Sequence, residues 1–142
     1  FCGYNFGDYW RHWLSFSKQS QNLPKIFHVN WFRQNDQGFL WPGFGENLRV
    51  LNWVIQRCQN KIDAKETPIG YVPLKQDIDV SGLNISSENL NELFQIDANQ
   101  WLAEMKNIKE YFDEFGERLP NELLDEHSKV IKSLKDSLHS SQ

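Results

Sequence analysis

Apolar side chains recur at helical spacing in the first half of the chain, and this pattern predicts two helices there. The first helix takes Asp8 as its N-cap and runs to about Lys18. The second helix starts near Glu46 or Asn47, directly after a glycine-rich turn, and ends near Gln59. The residues of its predicted buried face share the spacing of an amphipathic helix: Leu48, Leu51, Ile55 and Cys58.

The second half of the chain shows the same spacing and predicts a short helix followed by a helical hairpin. Ser87 is a suitable cap for the short helix, Asp97 caps the next helix, and Gly116 ends it. Pro120 fits the first turn of the last helix. The apolar faces of the two long helices are Trp101, Met105, Ile108, Phe112 and Phe115 in one, and Leu123, His127, Val130, Leu134 and Leu138 in the other. We expect an antiparallel hairpin with a frayed end from His139 to Gln142.

The stretches between these helices are predicted to be strands and loops. Residues from Lys25 to Arg33 alternate along the chain with apolar bulk on both sides, which predicts an interior strand. The segment from Thr67 to Pro73 is bracketed by prolines and is predicted to be extended rather than helical. A few strands and loops in the first half, followed by a helical hairpin at the C-terminus, predict an α/β fold class.

The chain has 142 residues, which is the length of one domain. We divide it into an aromatic-rich part at 1–58, a loop-rich connection at 59–96 and the helical hairpin at 97–142. The chain begins with a dense aromatic run instead of an initiator Met, and an interior strand needs neighbours on both faces. We therefore expect a single partial domain, a piece of a longer protein, with part of its core exposed.

Charged and aromatic residues are unevenly distributed along the chain. Residues 1–58 contain 6 Lys and Arg against 3 Asp and Glu, together with 14 of the 20 aromatic residues, whereas residues 59–142 contain 9 against 16. The first part therefore suits a planar anion, but its charge excess is too small to predict a nucleic-acid groove. Two cysteines without metal-ligand spacing favour a reduced intracellular compartment. The sequence contains no apolar run of about 18 residues, so no membrane span is predicted.

The segment from Asn30 to Asn47 is the leading candidate for a binding site. Its sequence, NWFRQNDQGFLWPGFGEN, places five aromatic rings among proline and glycine turns. Rings such as Phe32 and Phe44 are able to sandwich a purine, whose edge the Asn47 amide and the backbone near Gly43 would read. Aromatic clusters more often fill a core, and an Asn in this position is more often a helix N-cap. The pattern alone therefore favours core packing and leaves a ligand site as the alternative.

No pattern in the sequence supports catalysis by residues of this chain. The phosphate-binding motif GxxxxGK(S/T) is absent, and Ser15, Ser17 and Cys58 lack a recognisable base partner. Arg33 and Arg49 are candidates to approach a phosphate, although exposed arginines are more often solvated surface. No histidine, cysteine or carboxylate spacing indicates a metal site. We therefore predict no catalytic residue and no metal ligand in this chain.

Four segments closely resemble the C-terminal part of the GTP-dependent phosphoenolpyruvate carboxykinase family. They are FCGYNFGDYWRHWL at 1–14, LPKIFHVNWFR at 23–33, FLWPGFGENLRVLNW at 39–53 and TPIGYVP at 67–73. The FLWPGFGEN run is long and unusual, and similarity at the level of pattern extends over essentially the whole chain. The resemblance implies the C-terminal part of a mononucleotide-binding carboxykinase domain.

The resemblance also implies a reaction and the residues that take part in it. In that family, oxaloacetate and GTP give phosphoenolpyruvate, GDP and CO2 in gluconeogenesis, with manganese or magnesium as the metal. The residues that the resemblance assigns to guanine binding, to which the turn adds Gly43, are Trp31, Phe32, Phe39, Phe44 and Asn47. The phosphate loop, the metal ligands and the arginines for oxaloacetate are implied to lie N-terminal to the matching region. The chain alone is therefore expected to be inactive.

The expected partners are GTP and GDP, with oxaloacetate and phosphoenolpyruvate as further substrates of the longer protein. We expect a monomer that binds neither nucleic acid nor membranes, located in the cytoplasm or in mitochondria. The alternative is a non-catalytic, aromatic-rich module that binds a peptide or single-stranded nucleic acid. Nucleotide selectivity distinguishes these two functions.

Overall fold

The computed structural model describes residues 2–139, which fold into five α-helices and two small antiparallel sheets. The helices are α1 (Phe6–Ser15), α2 (Asn47–Cys58), α3 (Ser87–Phe94), α4 (Ala98–Asp113) and α5 (Asn121–His139). The strands are β1 (Gln34–Asn35), β2 (Gly38–Phe39), β3 (Lys65–Thr67) and β4 (Gly70–Val72). The described residues of 1–24 and 97–142 form a first compact unit, and Lys25–Ile96 form a second unit. Within residues 2–139, no helix is long and apolar enough to cross a membrane.

The helical hairpin predicted for the last third of the chain is confirmed in the first unit. The Asp97 carboxylate caps α4 by accepting hydrogen bonds from the backbone N–H groups two and three residues later, at 2.9 and 3.1 Å. Gly116, with a φ of 54°, follows α4, and Pro120 directly precedes α5. The two helices pack together, and the ring Nε2 of His127 lies 2.7 Å from the Met105 carbonyl oxygen.

The end of α5 differs from the sequence-based expectation. The helix continues through His139, so the fraying predicted from that residue is wrong at His139. The remaining part of the predicted frayed end, residues 140–142, lies outside the described residues.

The first helix starts earlier than its predicted cap. The Asn5 side chain accepts a hydrogen bond from the backbone N–H of Gly7 at 2.8 Å and so caps α1 in place of Asp8. The Asp8 carboxylate instead receives the guanidinium groups of Arg11 at 3.0 Å and of Arg118 at 3.1 Å. Asp8 lies in the first turn of α1, where its negative charge also interacts favourably with the helix dipole.

A cluster of large side chains forms the core of the second unit. Its buried members are Trp41, Trp53 and Ile78. The partly buried residues packed against them come from most of the unit: Phe27, Trp31, Val50, Val54, Ile62, Ala64, Val80, Leu83, Leu93 and Phe94. This core therefore joins α2, α3 and the connecting loops around two tryptophan rings.

The boundaries of α2 agree with the prediction, but the helix buries a different face. The four residues of the predicted buried face are all exposed: Leu48, Leu51, Ile55 and Cys58. The buried residue is Trp53, flanked by the half-buried Val50 and Val54. Both faces of α2 carry apolar residues at helical spacing, and the larger Trp53 ring packs into the core around Trp41.

The interior strand predicted for Lys25 to Arg33 is wrong. Residues 25–30 have no regular secondary structure and residues 31–32 form a turn. The Phe27 ring lies 6.0 Å from the Trp53 ring and Trp31 packs on the core, whereas Ile26 is exposed. An interior strand needs backbone partners on both sides, and no strand among the described residues pairs with this segment. The apolar alternation reflects anchoring by side chains rather than membership of a sheet.

The other local predictions in the second unit are close to the structure. The segment Thr67–Pro73 is extended as predicted and contributes to the β3–β4 hairpin, in which Gly70 takes a φ of 112°. The short helix α3 is present, but its cap is Ser86 rather than Ser87. The Ser86 hydroxyl oxygen accepts a hydrogen bond from the backbone N–H of Asn89 at 3.1 Å.

The Asp79 carboxylate is hydrogen-bonded within the loop that follows β4, and these bonds affect its pKa. Its Oδ1 accepts hydrogen bonds from the Ser81 hydroxyl at 2.6 Å and from the Ser81 backbone N–H at 2.9 Å. These bonds, with a smaller contribution from the Arg49 charge, hold the pKa of Asp79 below its ordinary value. A lowered pKa stabilises the fold above the unfolded-state pKa, and this contribution is lost as the pH falls through the folded-state pKa. We expect Ser81→Ala to raise the pKa of Asp79 in an NMR titration, and an unchanged pKa would contradict this arrangement.

Candidate nucleotide-recognition site

The β1–β2 hairpin positions two of the predicted site residues. Asn35 pairs with Gly38, whose φ of 119° permits the tight turn between the strands. Before the hairpin, the Asn30 side chain accepts a hydrogen bond from the backbone N–H of Phe32 at 2.9 Å. The hairpin thereby brings Phe32 next to Phe39, with ring centroids 6.2 Å apart and an interplanar angle of 64°.

Polar side chains attach this hairpin to the C-terminal end of α3. The Arg33 guanidinium donates hydrogen bonds to the carbonyl oxygens of Leu93 at 3.2 Å and Gln95 at 3.1 Å. A cation is favourable there because the last carbonyls of a helix carry partial negative charge. The Asn35 amide donates to the Glu92 carboxylate at 3.0 Å. The position of the phenylalanine pair is therefore fixed by α3 as well as by the hairpin.

A sharp corner leads from the hairpin to α2. Gly43 has a φ of 124°, in the left-handed region that favours glycine. Its carbonyl oxygen accepts a hydrogen bond from the backbone N–H of Glu46 at 3.1 Å, within the short 3-10 turn Phe44–Glu46 that precedes α2. This corner leaves the Phe44 side chain 91% exposed.

The five aromatic rings of the segment fall into two groups. Trp41 is only 8% exposed, and Trp31 is half-buried with its ring centroid 6.4 Å from that of Trp41. Phe32 and Phe39 are 73% and 62% exposed, and Phe44 is more exposed than either. Core packing, which the pattern favours for the whole segment, is therefore confirmed for the two tryptophans and is wrong for the three phenylalanines. We call Phe32, Phe39 and Phe44 the exposed phenylalanines.

Asn47 is the first residue of α2 rather than its N-cap. Glu46 takes the N-cap position without a capping hydrogen bond, and its carboxylate instead accepts from Arg49 Nε at 2.7 Å. The Asn47 Oδ1 accepts a hydrogen bond from the indole Nε1–H of Trp41 at 2.9 Å. The expectation that Asn47 caps the helix is therefore wrong, and its amide is instead tied to a core tryptophan.

Other groups that nucleotide chemistry requires are not assembled by the described residues. Within residues 2–139, no group of three or more His, Cys, Asp and Glu side chains is arranged to hold a metal ion. The metal implied by the resemblance therefore does not fit the described residues, and we derive no step through it. Arg49 donates to the Asp79 carbonyl oxygen at 2.8 Å in addition to binding Glu46, and Arg33 binds α3. The two arginines considered for a phosphate thus support the fold.

Sequence reasoning missed the residues that orient the site. The sequence predicts a polar turn from Gln34 to Gly38, and the β1–β2 hairpin turns within this segment. The hydrogen bond from Asn35 to Glu92 was not predictable from the sequence, because the two residues are 57 positions apart. The Trp41–Asn47 hydrogen bond spans the Pro–Gly corner and has no periodic signature.

Known proteins resemble this chain over most of its length. The sequence model of the family described as "Phosphoenolpyruvate carboxykinase C-terminal P-loop domain" matches residues 1–133. A protein of Chlamydia pneumoniae is 52% identical over 139 residues, covering 96% of this chain and 23% of the relative. A protein of Renibacterium salmoninarum is 50% identical over 141 residues, with 97% and 23% coverage, and one of Thermoplasma volcanium is 51% identical over 135 residues, with 94% and 22% coverage. All three relatives are named phosphoenolpyruvate carboxykinase (GTP).

The mixed architecture of helices and small sheets fits a C-terminal carboxykinase domain. The chain belongs to the GTP-dependent phosphoenolpyruvate carboxykinase family. It spans about a quarter of the length of the curated relatives that it matches. The alternative of an unrelated non-catalytic binding module is not favoured by these matches.

Proposed function

We propose that this chain is the guanine-recognising C-terminal part of a GTP-dependent phosphoenolpyruvate carboxykinase. The longer enzyme converts oxaloacetate and GTP to phosphoenolpyruvate, GDP and CO2. Family membership and the names of the relatives support the reaction. The observation that carries the role of this chain is the exposure of Phe32, Phe39 and Phe44 beside a well-packed tryptophan core.

Exposing three phenylalanine rings is unfavourable unless something covers them. Burying such a ring contributes roughly 1.5–3 kcal/mol relative to leaving it in water. The tryptophans of the same segment find places in the core, whereas glycine at 43 and the 3-10 turn direct Phe44 into solvent. A flat, partly apolar ligand removes these rings from water by stacking on them, and a purine is such a ligand.

The geometry of the rings indicates how a base would be held. Phe32 and Phe39 meet edge to face at 64°, so a planar base does not fit between those two rings. They form one wall of the proposed site, and Phe44 forms the other. Asn47 follows Phe44 by one turn and supplies an amide at the edge of the base. Trp31 packs on the core beside Trp41, and Gly43 lets the backbone approach the base.

The remaining parts of the enzyme are proposed to lie outside this chain. We assign the phosphate-binding loop, the manganese or magnesium site and the binding of oxaloacetate to the part of the longer protein that this chain does not cover. The proposed fold of the complete domain is of the mononucleotide-binding type, with 1–142 as a partial domain. We further propose a monomer in the cytoplasm or mitochondria that binds neither nucleic acid nor membranes, and an inactive isolated chain.

The test of this function uses the full-length enzyme that contains the chain. We expect Phe44→Ala to raise the KM for GTP by about 5- to 100-fold, because loss of one stacking ring costs about 1–3 kcal/mol per base. Tyr71→Ala is the matched control, since Tyr71 is also an exposed ring of the second unit but lies on β4, outside the Asn30–Asn47 segment. Equal KM values for GTP in wild type and Phe44→Ala would refute the proposal.

A further inference from the structure

The contact between Trp41 and Asn47 fixes the orientation of an amide at the proposed site. The Trp41 Nε1 lies 2.9 Å from the Asn47 side-chain oxygen, and Trp41 itself is buried in the core with Trp53 and Ile78. An indole N–H is only a donor, so the amide atom that faces it has to be the oxygen. The choice between the two amide orientations is therefore determined by chemistry.

The other end of the same amide is left for a ligand. Among residues 2–139, the Asn47 Nδ2 makes no hydrogen bond, and it is not enclosed in the protein. Because the amide is planar, fixing the oxygen toward Trp41 turns the NH2 group away from the Trp41 N–H. The site therefore presents the Nδ2 donor at this point of the base edge, while the oxygen accepts from Trp41.

A donor at this point distinguishes two classes of purine. Guanine and hypoxanthine carry a carbonyl oxygen at position 6, whereas adenine carries an amino group there. A carbonyl accepts from the Asn47 NH2 group, but an amino group opposes it with a second donor and leaves both unpaired. Turning the amide over would accommodate adenine only by placing NH2 against the indole N–H of Trp41.

We propose that Trp41 is a positioning residue that holds the Asn47 amide with its NH2 group outward and so selects 6-oxopurine over 6-aminopurine nucleotides. This inference rests on the proposed guanine-binding function and deepens it. The selection acts at position 6 of the purine and does not depend on the amino group at position 2. Loss of the Trp41 N–H is therefore expected to affect GTP and ITP alike, relative to ATP.

The experiment compares kcat and KM for GTP, ITP and ATP in the full-length enzyme and in four variants. Trp41→Phe keeps an aromatic ring in the core but removes the N–H, so the amide is free to turn. The ratio of kcat/KM for GTP to that for ATP is expected to fall by about tenfold or more, mainly through KM. Asn47→Asp retains an acceptor for Trp41 but presents an oxygen to the base, so it weakens GTP and ITP more than ATP.

Trp53→Phe is the matched control for core packing. Trp53 is a second buried tryptophan of the same core cluster, and its Nε1 has no hydrogen-bond partner within the described residues. This variant removes the same atoms without removing a hydrogen bond. It is expected to keep the wild-type GTP-to-ATP ratio even where it lowers the thermal unfolding temperature.

The outcomes separate this inference from the function on which it rests. Unchanged use of GTP by Asn47→Ala would refute the proposed contact to the base itself. Loss of GTP preference in Asn47→Ala, together with a wild-type GTP-to-ATP ratio in Trp41→Phe, would overturn only the positioning role of Trp41. Parallel losses for all three nucleotides in Trp41→Phe and Trp53→Phe would show that Trp41 acts through packing alone, and would also overturn it.

Discussion

Replacing Gly7 with alanine is expected to lower the free energy of unfolding of the first unit by about 1–3 kcal/mol, the usual cost of overpacking a close contact. A Cβ at this position would lie 2.5 Å from the carbonyl oxygen of Arg118 and 2.9 Å from the Asn5 side-chain oxygen. One of these atoms is backbone and the other caps α1, so neither moves without losing other contacts.

This close approach connects α1 with the α4–α5 hairpin. The Trp10 ring, one turn along α1 from Gly7, packs edge to face on Phe115 at a centroid distance of 4.8 Å. The Arg11 guanidinium donates to the carbonyl oxygen of Arg118 at 2.7 Å. A displaced α1 would weaken both contacts together, which is why one methyl group has a large expected effect.

Gly3→Ala is the control for the Gly7 prediction. A Cβ at Gly3 meets no atom within 4 Å, and its φ does not lie in the left-handed region. Thermal unfolding of the full-length protein and hydrogen exchange of the α1 amides measure the difference. Similar stabilities for Gly3→Ala and Gly7→Ala would contradict the close packing of α1.

Leu134→Ala is expected to cost about 2–5 kcal/mol, the range for truncating a fully buried leucine. Leu134 is 0% exposed on α5, so its removal leaves a cavity in the helical hairpin. Hydrogen exchange of the α5 amides in the full-length protein reports the loss of local stability. Leu48→Ala on α2 serves as the control, because Leu48 is exposed and its truncation leaves no cavity.

The comparison also tests which face of α2 is buried. If Leu48→Ala proves as costly as Leu134→Ala, the face of α2 that carries Leu48 is buried in the full-length protein, although it is exposed within this chain. A small effect, within about 0.5 kcal/mol, is expected for an exposed position. The two leucines differ in burial and share the same chemistry, so burial alone accounts for the expected difference.

The helices were predictable from sequence because their signals are local. Caps and stop residues such as Asp97 and Gly116 act within a few positions of the helix end, and helical spacing is visible in any short window. The face that α2 buries was not predictable. Leu48 and Trp53 lie on different apolar stripes of the same helix, and the stripe that faces the core packs against residues distant in sequence, such as Trp41 and Ile78.

The candidate site was predictable in composition but not in arrangement. Resemblance to the family indicates which residues to consider, whereas the pattern of aromatic residues alone favours a core. The division of the segment into core-packed tryptophans and exposed phenylalanines depends on the Gly43 corner and on the attachment of Arg33 to α3. Such long-range contacts leave no periodic trace in a single sequence.

We propose that the segment from Asn30 to Asn47 recognises guanine. The most direct measurement is the structure of the full-length protein with GDP bound. We expect the guanine ring against Phe44, with the Asn47 Nδ2 about 3 Å from the oxygen at position 6 of the base. A guanine bound away from this segment, with the exposed phenylalanines covered by other parts of the protein, would contradict the claim.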